Sequence, residues 1–120
     1  MDDWSATTFP TLAFGQGFSV NAIQMADVFA TIANDGVRMP ARIVIDPASP
    51  APQGERVVSE RTARTVREML ERVVAVGGTA PMAGIPGYRV GGKTGTAQVI
   101  DPECGCYNGE TIGSFIGMAP

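Results

Sequence analysis

The 120-residue chain has no histidine, a single lysine and two cysteines. Two cysteines without histidine offer no obvious ligand set for zinc. Basic residues are few as well. Nine Lys and Arg against twelve Asp and Glu leave a net charge of −3, which excludes a nucleic-acid binder held by charge. No apolar run approaches the ~20 residues of a membrane span. The opening Met-Asp-Asp-Trp-Ser-Ala also lacks the basic start and apolar stretch of a signal peptide. What is present is globular in character: 44% of the residues are hydrophobic, and the length suffices for one modest core.

The one lysine sits in the most informative stretch, Tyr88-Arg89-Val90-Gly91-Gly92-Lys93-Thr94-Gly95-Thr96-Ala97-Gln98. From Gly87 the spelling satisfies the phosphate-loop pattern G-x-x-x-x-G-K-[ST]; from Lys93 it reads K-T-G-T, a motif of penicillin-recognising serine enzymes. A phosphate loop needs a hydrophobic strand before it and a helix starting at its Lys-[ST]. Pro81 to Pro86 is too broken by Pro and Gly for such a strand, and Gly95 to Pro102 reads as a strand ending in a turn. The flanks therefore favour a strand from Tyr88 to Ile100. Its alternation puts Lys93, Gly95 and Ala97 on one face and Gly92, Thr94 and Thr96 on the other. Small residues on both faces let backbone and ligand approach closely. The bland reading is an ordinary strand with a solvated lysine.

Elsewhere the elements are well signalled. Asn21 can cap a helix with Gln24 as its box partner, and Gly36 can close it in the left-handed conformation. Apolar residues almost all round this helix predict that it is mostly buried, with Asp27 solvated. Arg42 to Ile45 and Glu55 to Val58 are candidate short strands, separated by an exposed loop rich in proline. Ser59 caps a second helix over about Glu60 to Val76, with Ala63, Val66, Leu70, Val73 and Val74 facing the core and Glu68–Arg72 spaced as an i,i+4 pair. Asp101 to Gly109 is a loop leading to a strand over Thr111 to Met118, which makes a hairpin with the lysine strand. A disulfide across Cys104-Gly105-Cys106 would close a small strained ring, so a surface pair that stays reduced or oxidises opportunistically is expected, and an extracytoplasmic location would make the disulfide more plausible.

Phe14-Gly15-Gln16-Gly17-Phe18-Ser19-Val20, Phe29 to Gly36, Gly77-Gly78-Thr79-Ala80, Gly87 to Gln98 and Ser114 to Pro120 occur in an order that resembles the C-terminal part of the transpeptidase domain of class B penicillin-binding proteins. The resemblance covers about Trp4 to Pro120. It implies an α/β fold of the α+β type, with a mainly antiparallel central sheet flanked by helices. Residues 1–120 would be the C-terminal part of that domain, incomplete at both ends. That family uses an S-x-x-K, an S-x-N and the K-T-G found here. No S-x-x-K can be read in this chain, because Val90 stands three residues before its one lysine. Ser19-Val20-Asn21 spells S-x-N but follows the Gly-Gln-Gly block directly, and is read as a helix start.

The resemblance also implies roles. Lys93 would supply positive charge at the floor of the site. Thr94 and Thr96 would offer hydroxyls to the carboxylate of an acyl-D-Ala-D-Ala stem peptide or a β-lactam, and the Thr96 backbone N–H would be one oxyanion donor. Gly95 would leave room for the ligand. The implied reaction is serine acyl transfer in peptidoglycan cross-linking during cell division or elongation, with no cofactor or metal. The parent would be anchored by one membrane helix on the extracytoplasmic face, among divisome or elongasome partners. Without the nucleophile the isolated chain is expected to be inactive. The alternatives are a non-catalytic remnant or binding module of this fold, and a β-lactamase or β-lactam-sensor relative.

Overall fold

A computed structural model describes residues 6–44, 47–50 and 52–119, which fall into two compact units. The larger contains Asn21–Lys93 together with the chain from Phe115 onward; the smaller contains the residues before Asn21 together with Thr94–Ser114. In chain order the elements are α1 (Thr8–Leu12), α2 (Ala22–Ala33), β1 (Val37–Arg38), β2 (Glu55–Arg56), α3 (Glu60–Val74), a 3-10 turn (Pro81–Ala83), β3 (Gly91–Ile100) and β4 (Tyr107–Met118).

In the larger unit α2 begins as its sequence dictates. The Asn21 side chain accepts from the Gln24 backbone N–H at 2.9 Å, and the Gln24 side chain returns the bond to the Asn21 N–H at 2.9 Å. This satisfies two amide donors that the first turn leaves without partners. At the other end Gly36 takes φ +84°, and its N–H bonds to the Thr31 carbonyl at 2.8 Å. The chain then turns into β1, which pairs antiparallel with β2 through Val37 opposite Arg56 and Arg38 opposite Glu55. Ser59 caps α3 by accepting from the Thr62 N–H at 3.1 Å. Ala63 and Val74 of α3 are buried, and Val66, Leu70 and Val73 are half-buried on the same face.

Arg67 ties α3 to the end of α2. One guanidinium nitrogen donates to the Ile32 and Ala33 carbonyls at 2.9 and 3.2 Å, and the other meets the Asp35 carboxylate at 2.7 Å. Carbonyls of the last helical turn have no partner within the helix, so a cation there satisfies both hydrogen bonding and the helix dipole.

Four expectations are corrected in this unit. α2 is largely exposed: Thr31 is its buried residue, while Ile23 and Val28 are 65% and 56% accessible, because nothing in the described chain packs on those faces. Asp27 is not simply solvated; Arg38 Nε donates to its Oδ2 at 2.7 Å, and this hydrogen bond, with the attendant charge, raises the Arg38 pKa above its ordinary value. Residues 42–44 form no strand. Ile43 is fully exposed and Val44 is 72% accessible, since no neighbouring strand among the described residues supplies a ladder; Ile45 lies outside the described residues. The i,i+4 pair made by α3 is Glu60–Arg64 at 2.7 Å, whereas Glu68–Arg72 is not among the ion pairs of the described residues.

β3 and β4 form a hairpin across a six-residue connection. β3 begins at Gly91 rather than Tyr88, because residues 86–88 are in a turn. β4 starts earlier than expected, at Tyr107. The central sheet is corrected as well: the described strands pair only as β1–β2 and β3–β4, two separate two-stranded sheets. Helices and antiparallel strands are present, but a central sheet needs neighbours on both sides of β3–β4, which the described residues do not supply. Cys104 and Cys106, whose redox state the sequence left open, are disulfide-bonded. The turn at Gly105, with φ +64°, brings their Cα atoms to 5.2 Å, within the span that a disulfide bridges.

Candidate functional site

β3 carries the lysine motif, and β4 fixes which way each residue faces. At Gly92 an added Cβ would meet the ring of Phe115. At Gly95 it would meet Ser114 Oγ at 2.6 Å. Phe115 and Ser114 are consecutive and lie on opposite faces of β4, so Gly92 and Gly95 lie on opposite faces of β3, as strand alternation requires. The space beside Gly95, which the sequence reading reserves for a ligand, is in part taken by the Ser114 hydroxyl.

Gly91 and Gly92 are buried, Thr94 and Gly95 half-buried, and Lys93, Thr96, Ala97 and Gln98 exposed. Gly91 sits under α3, where a Cβ would come 3.3 Å from Leu70 Cβ. The start of the strand is therefore anchored in the larger unit, while the residues after Lys93 belong to the smaller one.

Within the smaller unit those residues wall a cleft of about 270 Å³. Gly95, Thr96, Ala97 and Gln98 form one side, Gly15 to Phe18 another, and Tyr107 and Ser114 of β4 complete it. The lining is amide, hydroxyl, aromatic and backbone, with no charged side chain. Of the four residues singled out by sequence, Gly95 and Thr96 line this cleft. Lys93 and Thr94 precede them on the strand and are not part of its lining.

The loop from Gly15 to Phe18 was legible as a family block but carried no role. The structure shows what fixes it. The Gln16 N–H donates to the Thr11 carbonyl at 3.0 Å, and Gly15 N–H to the Leu12 carbonyl at 3.1 Å, so the loop folds back on the end of α1. Gly17 packs tightly, since a Cβ there would stand 2.8 Å from Thr11 Oγ1. Tyr107 and Ser114 were missed because their place in the cleft depends on hairpin pairing. Among the described residues no group of three or more His, Cys, Asp or Glu is placed to hold a metal ion. No helix of the described chain is long and apolar enough to cross a membrane.

The profile of the penicillin-binding protein transpeptidase domain matches residues 2–120, and the chain belongs to that family. Its relatives place it in class B. It is 50% identical over 134 residues to the penicillin-binding protein PbpB of Mycobacterium tuberculosis, covering 99% of this chain and 20% of that protein. It is 42% identical over 118 residues to the peptidoglycan D,D-transpeptidase FtsI of Escherichia coli K12, covering 98% of this chain and 19% of that one.

Solved structures agree. Penicillin-binding protein 3 of Mycobacterium tuberculosis complexed with aztreonam superposes with a TM-score of 0.87 at 47% identity, over 98% of this chain and 30% of that one. The transpeptidase domain of Burkholderia pseudomallei penicillin-binding protein 3 gives 0.85 at 44% identity, over 99% of this chain and 36% of that one. The chain thus spans about one fifth of the length of the curated relatives it matches.

Proposed function

We propose that this chain is the C-terminal part of the transpeptidase domain of a peptidoglycan D,D-transpeptidase and forms one side of its acyl-transfer site. The observation that carries this reading is the cleft itself. It joins the Gly15–Phe18 loop to Gly95–Gln98 of the lysine-motif strand, two blocks about eighty residues apart in the sequence. The ligands fit its chemistry. A penicillin-binding protein 3 relative has been solved with aztreonam and with ampicillin, both β-lactams. A stem peptide ending in D-Ala-D-Ala would offer a terminal carboxylate and a carbonyl to the same groups, as the ring carboxylate and lactam carbonyl of ampicillin would.

In this reading Lys93 supplies the positive charge that orients the donor, and the hydroxyls of Thr94 and Thr96 hydrogen-bond its carboxylate. The Thr96 N–H donates to the carbonyl oxygen as it becomes an oxyanion. Serine attack on the D-Ala-D-Ala bond releases D-Ala, and an amine of a neighbouring stem peptide then takes the acyl group. The serine and its S-x-x-K partner are not found in this chain's sequence, so they come from elsewhere in the parent. The parent works on the extracytoplasmic face, where peptidoglycan lies, in septal or lateral wall synthesis.

The test is labelling with a fluorescent penicillin. The parent protein is expected to form a hydroxylamine-sensitive adduct and the isolated chain none. Lys93→Ala in the parent is expected to slow labelling by about 10²-fold, the scale on which one such group contributes. Equal labelling of wild type and Lys93→Ala would remove the lysine from the site.

A further inference from the structure

The transpeptidase reading has no use for the Cys104–Cys106 disulfide, yet Cys106 immediately precedes Tyr107, which lines the cleft. It is a poor staple. Its ring spans only Gly105, so closing it removes little freedom from the unfolded chain. In the folded chain it acts alongside a few exposed hydrogen bonds across the connection. The Asp101 N–H donates to the Cys106 carbonyl at 2.9 Å and the Gly105 N–H to the Asp101 carbonyl at 2.8 Å. The Asp101 carboxylate accepts from the Glu103 N–H at 2.8 Å and from Asn108 Nδ2 at 3.4 Å.

Three further observations bear on its chemistry. Both cysteines are exposed, so a thiol in solution can reach them. The Cys106 N–H points at Cys104 Sγ from 3.3 Å, a contact that stabilises negative charge on that sulfur and makes it the better leaving group. Tyr107, the next residue, opens β4 and lines the cleft.

We propose that Cys104–Cys106 is an exchangeable disulfide through which an external dithiol loosens the Tyr107 wall of the cleft. A thiolate of the dithiol attacks Cys106 Sγ, the Cys104–Cys106 bond breaks, and Cys104 leaves as a thiolate that takes up a proton. The second thiol of the reductant then attacks its own sulfur in the mixed disulfide and releases Cys106. Two electrons and two protons pass to this chain, and the reductant becomes a disulfide. With the bond open, the turn at Gly105 is free to relax, and the first residues of β4 lose the covalent tie that sets where they begin. Oxidation restores the wall.

The test uses the full-length protein and follows the bond and the hairpin rather than acylation, so it does not depend on the transpeptidase reading. Dithiothreitol without denaturant is expected to make both cysteines alkylatable, and glutathione to leave its mixed disulfide on Cys106. Hydrogen exchange of the amides over residues 107–110 is expected to quicken about tenfold on reduction, as a locally loosened segment does. The Cys104→Ser, Cys106→Ser double variant is expected to match the reduced protein in either buffer. A bond that yields only after denaturation, a glutathione adduct on Cys104, or unchanged hairpin exchange after reduction would each overturn the proposal. Should the double variant not fold, the oxidised and reduced wild-type samples decide the question between them.

Discussion

Gly92 of β3 lies directly against the ring of Phe115 on β4, so that a Cβ at position 92 would fall 2.7 Å from Phe115 Cε2 and 2.8 Å from the Ile116 carbonyl oxygen. The residue before the lysine is thus a glycine for reasons of packing. Gly92→Ala is expected to destabilise the fold by about 1–3 kcal/mol, the usual cost of overfilling a packed site. Phe115→Leu in the same chain is expected to recover part of the loss. Urea unfolding of the two single variants and the double variant checks it; strict additivity would show that the two residues are not coupled.

Arg67 serves two carbonyls and a carboxylate at once. Arg67→Ala is expected to cost about 2 kcal/mol, in the range for hydrogen bonds to a charged group. Arg67→Lys should restore only a part, since an ammonium lacks the planar fork that reaches both targets. Thermal melting followed by circular dichroism ranks the three proteins.

Gly36 and Gly77 share a left-handed backbone, at φ +84° and +85°, yet differ in their surroundings. A Cβ at Gly36 would collide with the Val58 carbonyl, and one at Gly77 meets nothing within 4 Å. Gly77→Ala is expected to cost about 1–2 kcal/mol from backbone strain alone. Gly36→Ala carries that cost plus the clash and should be clearly the worse of the two in denaturant midpoint.

Gly95→Ala in the parent is expected to slow β-lactam acylation by about tenfold or more, equivalent to roughly 1.4 kcal/mol in the barrier. Two causes can be separated. If the methyl acts by pushing Ser114, whose Oγ would be 2.6 Å away, then Ser114→Gly should restore the rate. If it acts by blocking the ligand, Ser114→Gly will leave the rate low. Second-order rate constants for acylation of the four proteins give the answer.

What could be read directly from the residues was local. The Asn21–Gln24 box, the Gly36 terminus, the Ser59 cap and the apolar face of α3 each depend on side chains within a turn or two of one another, and each stands where its pattern put it. The lysine strand was legible because glycines and β-branched residues followed by a proline leave few other choices. What escaped depends on distant partners. Residues 42–44 have the composition of a strand but no strand beside them. Asp27 looked solvated because Arg38 is eleven residues away across a turn. Tyr107 and Ser114 reach the cleft only through the register of the hairpin, and the disulfide only through the conformation at Gly105.

Among the described residues the apolar side chains sealed from water are Ala63 and Val74, while Ile43, Val76 and Met82 remain almost wholly wetted. The heat capacity of unfolding tracks the apolar area newly exposed. For this chain alone that increment is small, and so is the denaturant sensitivity that scales with the same area. Its stability therefore changes little with temperature and fades gradually in urea, until the wetted faces of α2 and the hairpin are covered and the transition sharpens.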